Sequence, residues 1–381
     1  MSPEKKKKIL MIGPFPDPIT GMSVSNQMLL AGLLENGHEV EFIDSNAERT
    51  FTSLKAQGKF SIKKVLNSVR PIAIGCYKIL FEKFDVVYIT PAQSYLGFLK
   101  YTPFINVANL KKTKCYIEFH GGFVRVMYDS VDAKKQEALT SYFNKTDGVI
   151  VLGNSLTSMF DGILEKSKVF VCENGVQDEY MLPEKEFAQK LQKIQQTNNT
   201  SEIEELKILY LSNLMQSKGI LDLLKACIKL KKENFKFHLN LAGNIEAEIV
   251  DTVNEMSKEL GEYVTYHGVV KGDKKAALLK DNHVFCLPTY YPNEGQPISI
   301  LEAMGNGLAI ITTTQGGIID IFKDGENGAE CNKKDPDSIC EAINKCNENY
   351  IKYAKKNYYE CLAKYNRKAF VGRIENIILK Q

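Results

Sequence analysis

Short apolar runs alternate with longer stretches of mixed polarity along most of this chain. A brief apolar run closed by turn formers reads as a buried strand. Apolar residues three and four apart read as one face of a helix. In the first half this predicts strands at Lys8–Ile12, Glu39–Ile43, Val86–Thr90, Lys114–Phe119, Gly148–Leu152 and Lys168–Cys172. In the second half it predicts Lys207–Leu211, Lys236–Ala242, Val264–His267, Val284–Leu287 and Leu308–Thr313. Helices are expected at Ser23–Leu34, Ile220–Leu230 and Ile298–Asn306, and again through Asp337–Gln381. Such alternation implies an α/β class with parallel sheets. The polar stretch Glu184–Glu205, rich in Gln, Asn and Thr, reads as a connector with some helix, and a domain boundary is expected near Gln177–Pro183. A chain of 381 residues suits two domains.

The stretch from Pro288 to Gly317 carries the most chemistry. Glu294 sits in the loop leaving a predicted strand. Pro297 suits the first position of a helix, and Gly307 stops it. Glu302 lies just over a turn inside, among the apolar Ile298, Leu301, Ala303 and Met304. A carboxylate there needs donors, because burying an unpaired charge is costly. Sugar hydroxyls supply donors. A loop at the carboxyl end of a parallel strand, opening a helix, attracts phosphate. Together these features suggest a nucleotide-sugar site.

Other candidates are weaker alone. Gly13 to Gly21 reads GPFPDPITG, so the dinucleotide fingerprint is absent. Gly21 lets the backbone approach a ligand, although a surface turn fits as well. Ser23, Ser25 and Asn26 stand on the first turn of the helix that follows. His120 ends a strand ahead of Gly121-Gly122, which permit close approach, although a lone histidine is more often structural. Glu118 reads as alternating to the other face, in a structural role. Lys218-Gly219, between a strand and a helix, favours phosphate. Asp335-Pro336-Asp337 has the spacing of a metal motif but lies at a helix start, where aspartate caps amides. The five histidines and nine cysteines show no ligand spacing, so no metal is expected.

The segment Pro288-Thr289, Glu294-Gly295, Leu301-Glu302-Ala303-Met304 with Gly307, then Gly316-Gly317, resembles the donor-site signature of retaining glycosyltransferase family 4. The Gly13–Gly21 loop, His120-Gly121, Asn174-Gly175-Val176 and Lys218-Gly219 match further family motifs in order. The resemblance implies the GT-B fold: two Rossmann-like α/β domains whose parallel sheets face across a cleft. An acceptor-binding domain would span 1–180 and a nucleotide-sugar domain 181–358. A final helix, within 359–381, would cross back onto the first domain. The implied activity is transfer of a sugar, with retention, from a nucleoside diphosphate donor such as a UDP-sugar. The acceptor would be a glycan or a lipid-linked chain in bacterial surface polysaccharide synthesis, and no cofactor would be needed.

The resemblance also assigns roles. His120, Lys218 and Glu294 are the catalytic candidates, with His120 and Glu294 meeting the transferred sugar. Lys218 and the helix-opening stretch Gly295, Gln296, Pro297 and Ile298 would hold the diphosphate, and Glu302 the ribose. Gly21 would face the diphosphate or the acceptor, and Ser23 and Arg125 would face the acceptor. One departure stands out: the family usually has an arginine five residues before the lysine, where this chain has Asn213. Either Lys218 acts with backbone amides alone, or another cation such as Arg125 substitutes. Competing readings are a non-catalytic nucleotide-sugar binding subunit, which Asn213 would suit, and an epimerase or phosphorylase on the same fold.

Charge adds one element. Net charge is only +3, but residues 50–116 hold eleven basic side chains against Glu82 and Asp85 alone, interleaved with large apolar residues. That pattern suits an anionic membrane surface, and equally a solvated helix face over an ordinary core. No nucleic-acid motif is present. No run reaches the roughly 18 apolar residues of a membrane span, and the first apolar stretch is broken by Gly13-Pro14. The expected location is cytoplasmic with reduced thiols, peripheral to the inner face of the membrane.

Overall fold

The structure, a computed structural model, describes residues 6–46, 62–197 and 203–379. It divides into two units. The first comprises Met1–Asn174 with Arg367–Gln381, and the second Gly175–Asn366.

Six parallel strands form the first unit's sheet: β1 (Lys8–Gly13), β2 (Glu39–Asp44), β3 (Val86–Ile89), β4 (Lys114–Phe119), β5 (Gly148–Val151) and β6 (Val169–Val171). Their order is β2-β1-β3-β4-β5-β6. The period-two alternation divides the strand residues between two cores. Leu10, Ile12, Val87, Ile89, Ile117 and Val149 enter one. Ile9, Met11, Val86, Tyr88, Tyr116 and Ile150 enter the other, with Phe370, Val371, Ile374 and Ile378 from the helix Arg367–Leu379. These four explain why the end of the chain belongs to the first unit: a helix with that apolar face needs a sheet to cover it.

The second unit repeats the plan with β7 (Leu206–Leu211), β8 (Phe237–Ala242), β9 (Val264–Tyr266), β10 (Val284–Leu287), β11 (Ala309–Thr312) and β12 (Gly328–Glu330). The order is β12-β11-β10-β7-β8-β9, again all parallel. Eleven strands lie where the apolar runs predict them. The twelfth, β12, escapes the pattern because it is short and reads Gly-Ala-Glu, without a β-branched or aromatic residue.

The division falls before residue 180 because Val176 N–H donates to the Tyr365 carbonyl and Asn306 to the Tyr180 carbonyl, tying 175–180 into the second unit. It falls after 359 because the helix Tyr350–Glu360 continues through one widened turn, Cys361–Tyr365, and breaks at an extended Asn366. The final helix expected within 359–381 therefore begins only at Arg367.

Candidate functional site

In the second unit the chain runs outward from β7 to β8 and β9, then returns to lay β10 on the other side of β7. Loops leaving β7 and β10 therefore part in opposite directions and leave a crevice at their carboxyl ends, where ligands bind in open parallel sheets. Lys218 comes from the first loop and Glu294 from the second. The Lys218 ammonium donates to both carboxylate oxygens of Glu294, at 2.8 and 2.6 Å. The fully buried Thr289 hydroxyl donates to the same carboxylate at 2.9 Å. The ammonium also stands 5.1 Å from the centre of the Tyr291 ring.

Two glycines are required here. Gly219 has φ +75°, and a Cβ on it would lie 2.2 Å from the Pro288 carbonyl oxygen. Gly316 has φ +55°, and a Cβ on it would lie 2.0 Å from the Glu294 carbonyl oxygen. Gly317 N–H then donates to the Gly295 carbonyl at 3.0 Å, so the Gly316-Gly317 turn braces the Glu294 loop.

Pro297 caps the short helix Ile298–Met304, whose second turn carries Glu302. Glu302 is buried, and its partner is Lys275, at 2.6 Å. The Lys275 ammonium sits 4.0 Å from the centre of the Tyr180 ring. Gly295 and Gln296 are buried, and Pro297 and Ile298 partly so. Lys275 and Tyr180 are site residues that the sequence reading missed, and Thr289 was read there only as part of the Pro288-Thr289 motif, without a role. Lys275 is one of several lysines on and beside the helix Gly272–Asp281, and nothing in the spacing marks it out.

Asn213 is exposed, and its carbonyl accepts from the Tyr210 hydroxyl at 3.1 Å. Asp335 caps the helix Pro336–Glu348, accepting from the Asp337 and Ser338 amides. This agrees with the capping reading of that motif. Among the described residues no group of three or more His, Cys, Asp or Glu gathers to hold a metal ion. All nine cysteines are free.

The first unit holds the remaining candidates. Gly21 opens the helix Gly21–Glu35, with Thr20 as its cap. Ser23 is wholly buried in the capping box with Thr20 and also donates to the Pro18 carbonyl, so it offers no exposed hydroxyl to an acceptor. Asn26 is spent on the Pro14 carbonyl and the Thr90 hydroxyl. Arg125, the suggested substitute cation, pairs with Asp129 at 2.9 Å and donates to the Asp161 carbonyl at 2.8 Å.

His120 behaves differently. Its Nε2 meets the Glu118 carboxylate at 2.8 Å, and the Tyr88 hydroxyl donates to the same oxygen. The placing of Glu118 on the other face is thus corrected: residues two apart share a face of the pleat. Burial, and then the Glu118 charge, push the Tyr88 phenol well above its ordinary range, so it remains a donor.

Residues 205–349 match the family model described as Glycosyl transferases group 1. An uncharacterized glycosyltransferase of Methanocaldococcus jannaschii is 32% identical over 166 residues, covering 41% of this chain and 41% of that protein. The amylovoran biosynthesis glycosyltransferase AmsK of Erwinia amylovora is 24% identical over 129 residues, covering 32% and 31%. These matches span less than half of either relative. The crystal structure of Anabaena HepE in complex with UDP and glucose superposes with a TM-score of 0.69 at 14% identity, covering 98% of this chain and 100% of that one. The fold is that of the GT-B glycosyltransferases. The family match and the relatives support a glycosyltransferase.

Proposed function

We propose that this chain is a retaining glycosyltransferase that moves a sugar, a hexose in the first instance, from a UDP-sugar to a glycan or lipid-linked acceptor in surface polysaccharide synthesis. The observation that carries this reading is the Lys218–Glu294 pair at the crevice between β7 and β10, with Glu302 nearby in the same segment. HepE was solved with UDP and glucose, and AmsK is named for amylovoran biosynthesis, which supports the donor and the pathway class.

The geometry gives each group a task. Without donor, Lys218 and Thr289 satisfy the Glu294 charge. A diphosphate would draw the Lys218 ammonium onto itself and leave Glu294 to accept from sugar hydroxyls. As the bond from the anomeric carbon to the diphosphate oxygen lengthens, charge gathers on that oxygen, and Lys218 stabilises it. The acceptor hydroxyl forms its new bond on the same face, and its proton passes to the departing phosphate. Glu302 would meet the ribose, taking its hydroxyls in exchange for Lys275. No metal is needed for these steps.

Membrane attachment belongs to the same proposal. In the helix Ile62–Phe81 the exposed Val69, Tyr77 and Phe81 form a stripe, and Leu110 is equally bare. Beside them lies a basin of about 560 Å³ lined by Lys7, Lys83, Lys111, Lys112 and Lys114 together with Glu82 and Asp85. Lys78 is unavailable, since it is held by Glu41 and Glu82. Lys55 and Lys59 lie outside the described residues. No described helix is long and apolar enough to cross a membrane. The contact proposed is peripheral, at the cytoplasmic face.

The decisive experiment is turnover by the purified chain, preceded by a thermal-shift panel of nucleoside diphosphates and their sugars. A ligand at 100 times its dissociation constant stabilises by about 2.7 kcal/mol. Binding without turnover across a panel of acceptors would favour a non-catalytic binding subunit, and epimer formation from donor alone would favour an epimerase.

A further inference from the structure

The first unit contains a buried polar chain that the proposed mechanism leaves unused. Glu118 lies in β4 with its side chain 1% exposed. Both of its donors, the Tyr88 hydroxyl and His120 Nε2, meet one oxygen, Oε2. The other oxygen is buried without a partner. The His120 side chain is 5% exposed, and its Nδ1 is likewise buried and unpartnered. Arg373 donates to the Glu173 carbonyl at 2.9 Å and stands 3.3 Å from its carboxylate.

An unmet buried polar atom is costly, and the Glu118–His120 pair holds two of them. A carboxylate can only accept, so the contact at Oε2 puts the histidine proton on Nε2. In the neutral ring, Nδ1 then keeps its lone pair. We propose that Glu118, itself held by Tyr88, is a positioning residue that fixes this tautomer and the ring orientation of His120. His120 Nδ1 would thereby accept a hydroxyl of a bound sugar. The inference rests on the glycosyltransferase reading and names the atom that serves it. Glu118 touches no ligand and acts through His120.

The test combines spectroscopy and kinetics on the full chain. In a ¹⁵N-histidine sample, His120, assigned by comparison with His120→Ala, should show a downfield proton on Nε2 in slow exchange with water. Glu118→Gln should lose or strongly shift this signal, and Tyr88→Phe should shift it less. Glu118→Gln should lower kcat/KM by roughly ten- to a hundredfold, the size of effect seen when a partner orienting a functional histidine is removed elsewhere. UDP affinity should stay at the wild-type level, because that ligand is assigned to the second unit. A merely structural role would instead lower the melting temperature and leave the His120 signal in place. If Glu118→Gln fails to fold, Tyr88→Phe, which removes one hydroxyl, carries the same prediction at smaller size.

Wild-type activity in Glu118→Gln and Tyr88→Phe, with His120→Ala impaired, would overturn the inference and leave the glycosyltransferase reading standing. Absence of an Nε2 proton on wild-type His120 would overturn it even if no substrate were turned over. Failure of the wild-type chain to bind any nucleotide would remove the functional reading, while the proton signal would still decide the tautomer.

Discussion

Lys218 and Glu294, 76 residues apart, close on each other through both carboxylate oxygens at 2.8 and 2.6 Å. Their side chains are 14% and 7% exposed, so the pair is largely removed from water. Removing one member of such a pair costs about 3–5 kcal/mol, because the other charge is stranded. Lys218→Ala should therefore lower stability as well as activity, with kcat/KM falling roughly 10- to 150-fold. Adding Glu294→Gln removes the stranded charge, so the double variant should melt higher than Lys218→Ala while staying inactive. Thermal melts and kinetics on the three variants check this. Recovery of activity in the double variant would refute the role of Lys218.

The two glutamates should separate by ligand. Glu302→Gln is expected to weaken binding of the bare nucleoside diphosphate by about 1.5–3 kcal/mol, the size of a hydrogen bond to a charged group. Glu294→Gln should mainly weaken binding of the intact nucleotide sugar. Titration calorimetry of both ligands on both variants decides it, and equal losses in all four titrations would break the assignment of ribose and hexose.

Activity should survive chelation. Lys218 supplies the positive charge that a metal would otherwise bring to the leaving diphosphate. Assays with and without EDTA test this directly. A complete loss that magnesium or manganese restores would mean that the leaving group is stabilised differently.

Lys190 offers a pH prediction. Its ammonium donates to the Asn282 and Asn306 carbonyls, at 2.7 and 3.1 Å. Burial, opposed by nearby Asp281, pulls its pKa from 10.5 to about 7. The two carbonyls favour the charged form and oppose that displacement. Between pH 7 and 10 the unfolded chain keeps a proton that the folded chain has lost, so this residue adds stability as pH rises through that window. Relative to Lys190→Met, wild type should gain at most about 1.4 kcal/mol per pH unit. Urea melts at pH 7, 8 and 9 measure the difference, and parallel pH dependence in the two proteins would contradict it.

Lipid contact is testable at described residues. Each basic side chain at an anionic surface contributes ~1 kcal/mol, and binding weakens with salt. Changing Lys83, Lys111, Lys112 and Lys114 to Glu should abolish co-sedimentation with anionic vesicles at low salt. Phe81→Glu should weaken it further than its charge alone explains. Wild-type protein that ignores such vesicles at every salt concentration would return this face to ordinary solvent.

By itself the sequence determined the architecture and the positions of the main chemical groups. Central parallel strands buried on both faces need continuous apolar runs, and the partly exposed edge strands β2, β6 and β9 keep a short apolar pattern, so eleven of the twelve were legible from the order of apolar positions. Pro288-Thr289, Glu294, Glu302 and Gly316-Gly317 were legible because a turn beside a ligand restricts which residues can occupy it. Tertiary structure decided the pairing. Lys275, among several lysines around one helix, is singled out only by the fold that sets it against Glu302. Ser23 looks free on a helix end until the capping box consumes it. Glu118 looks like an interior strand residue until Tyr88 and His120 converge on one of its oxygens. These are contacts between residues distant in the chain or closed by a local turn, and no periodicity in the sequence encodes the distance between two side chains.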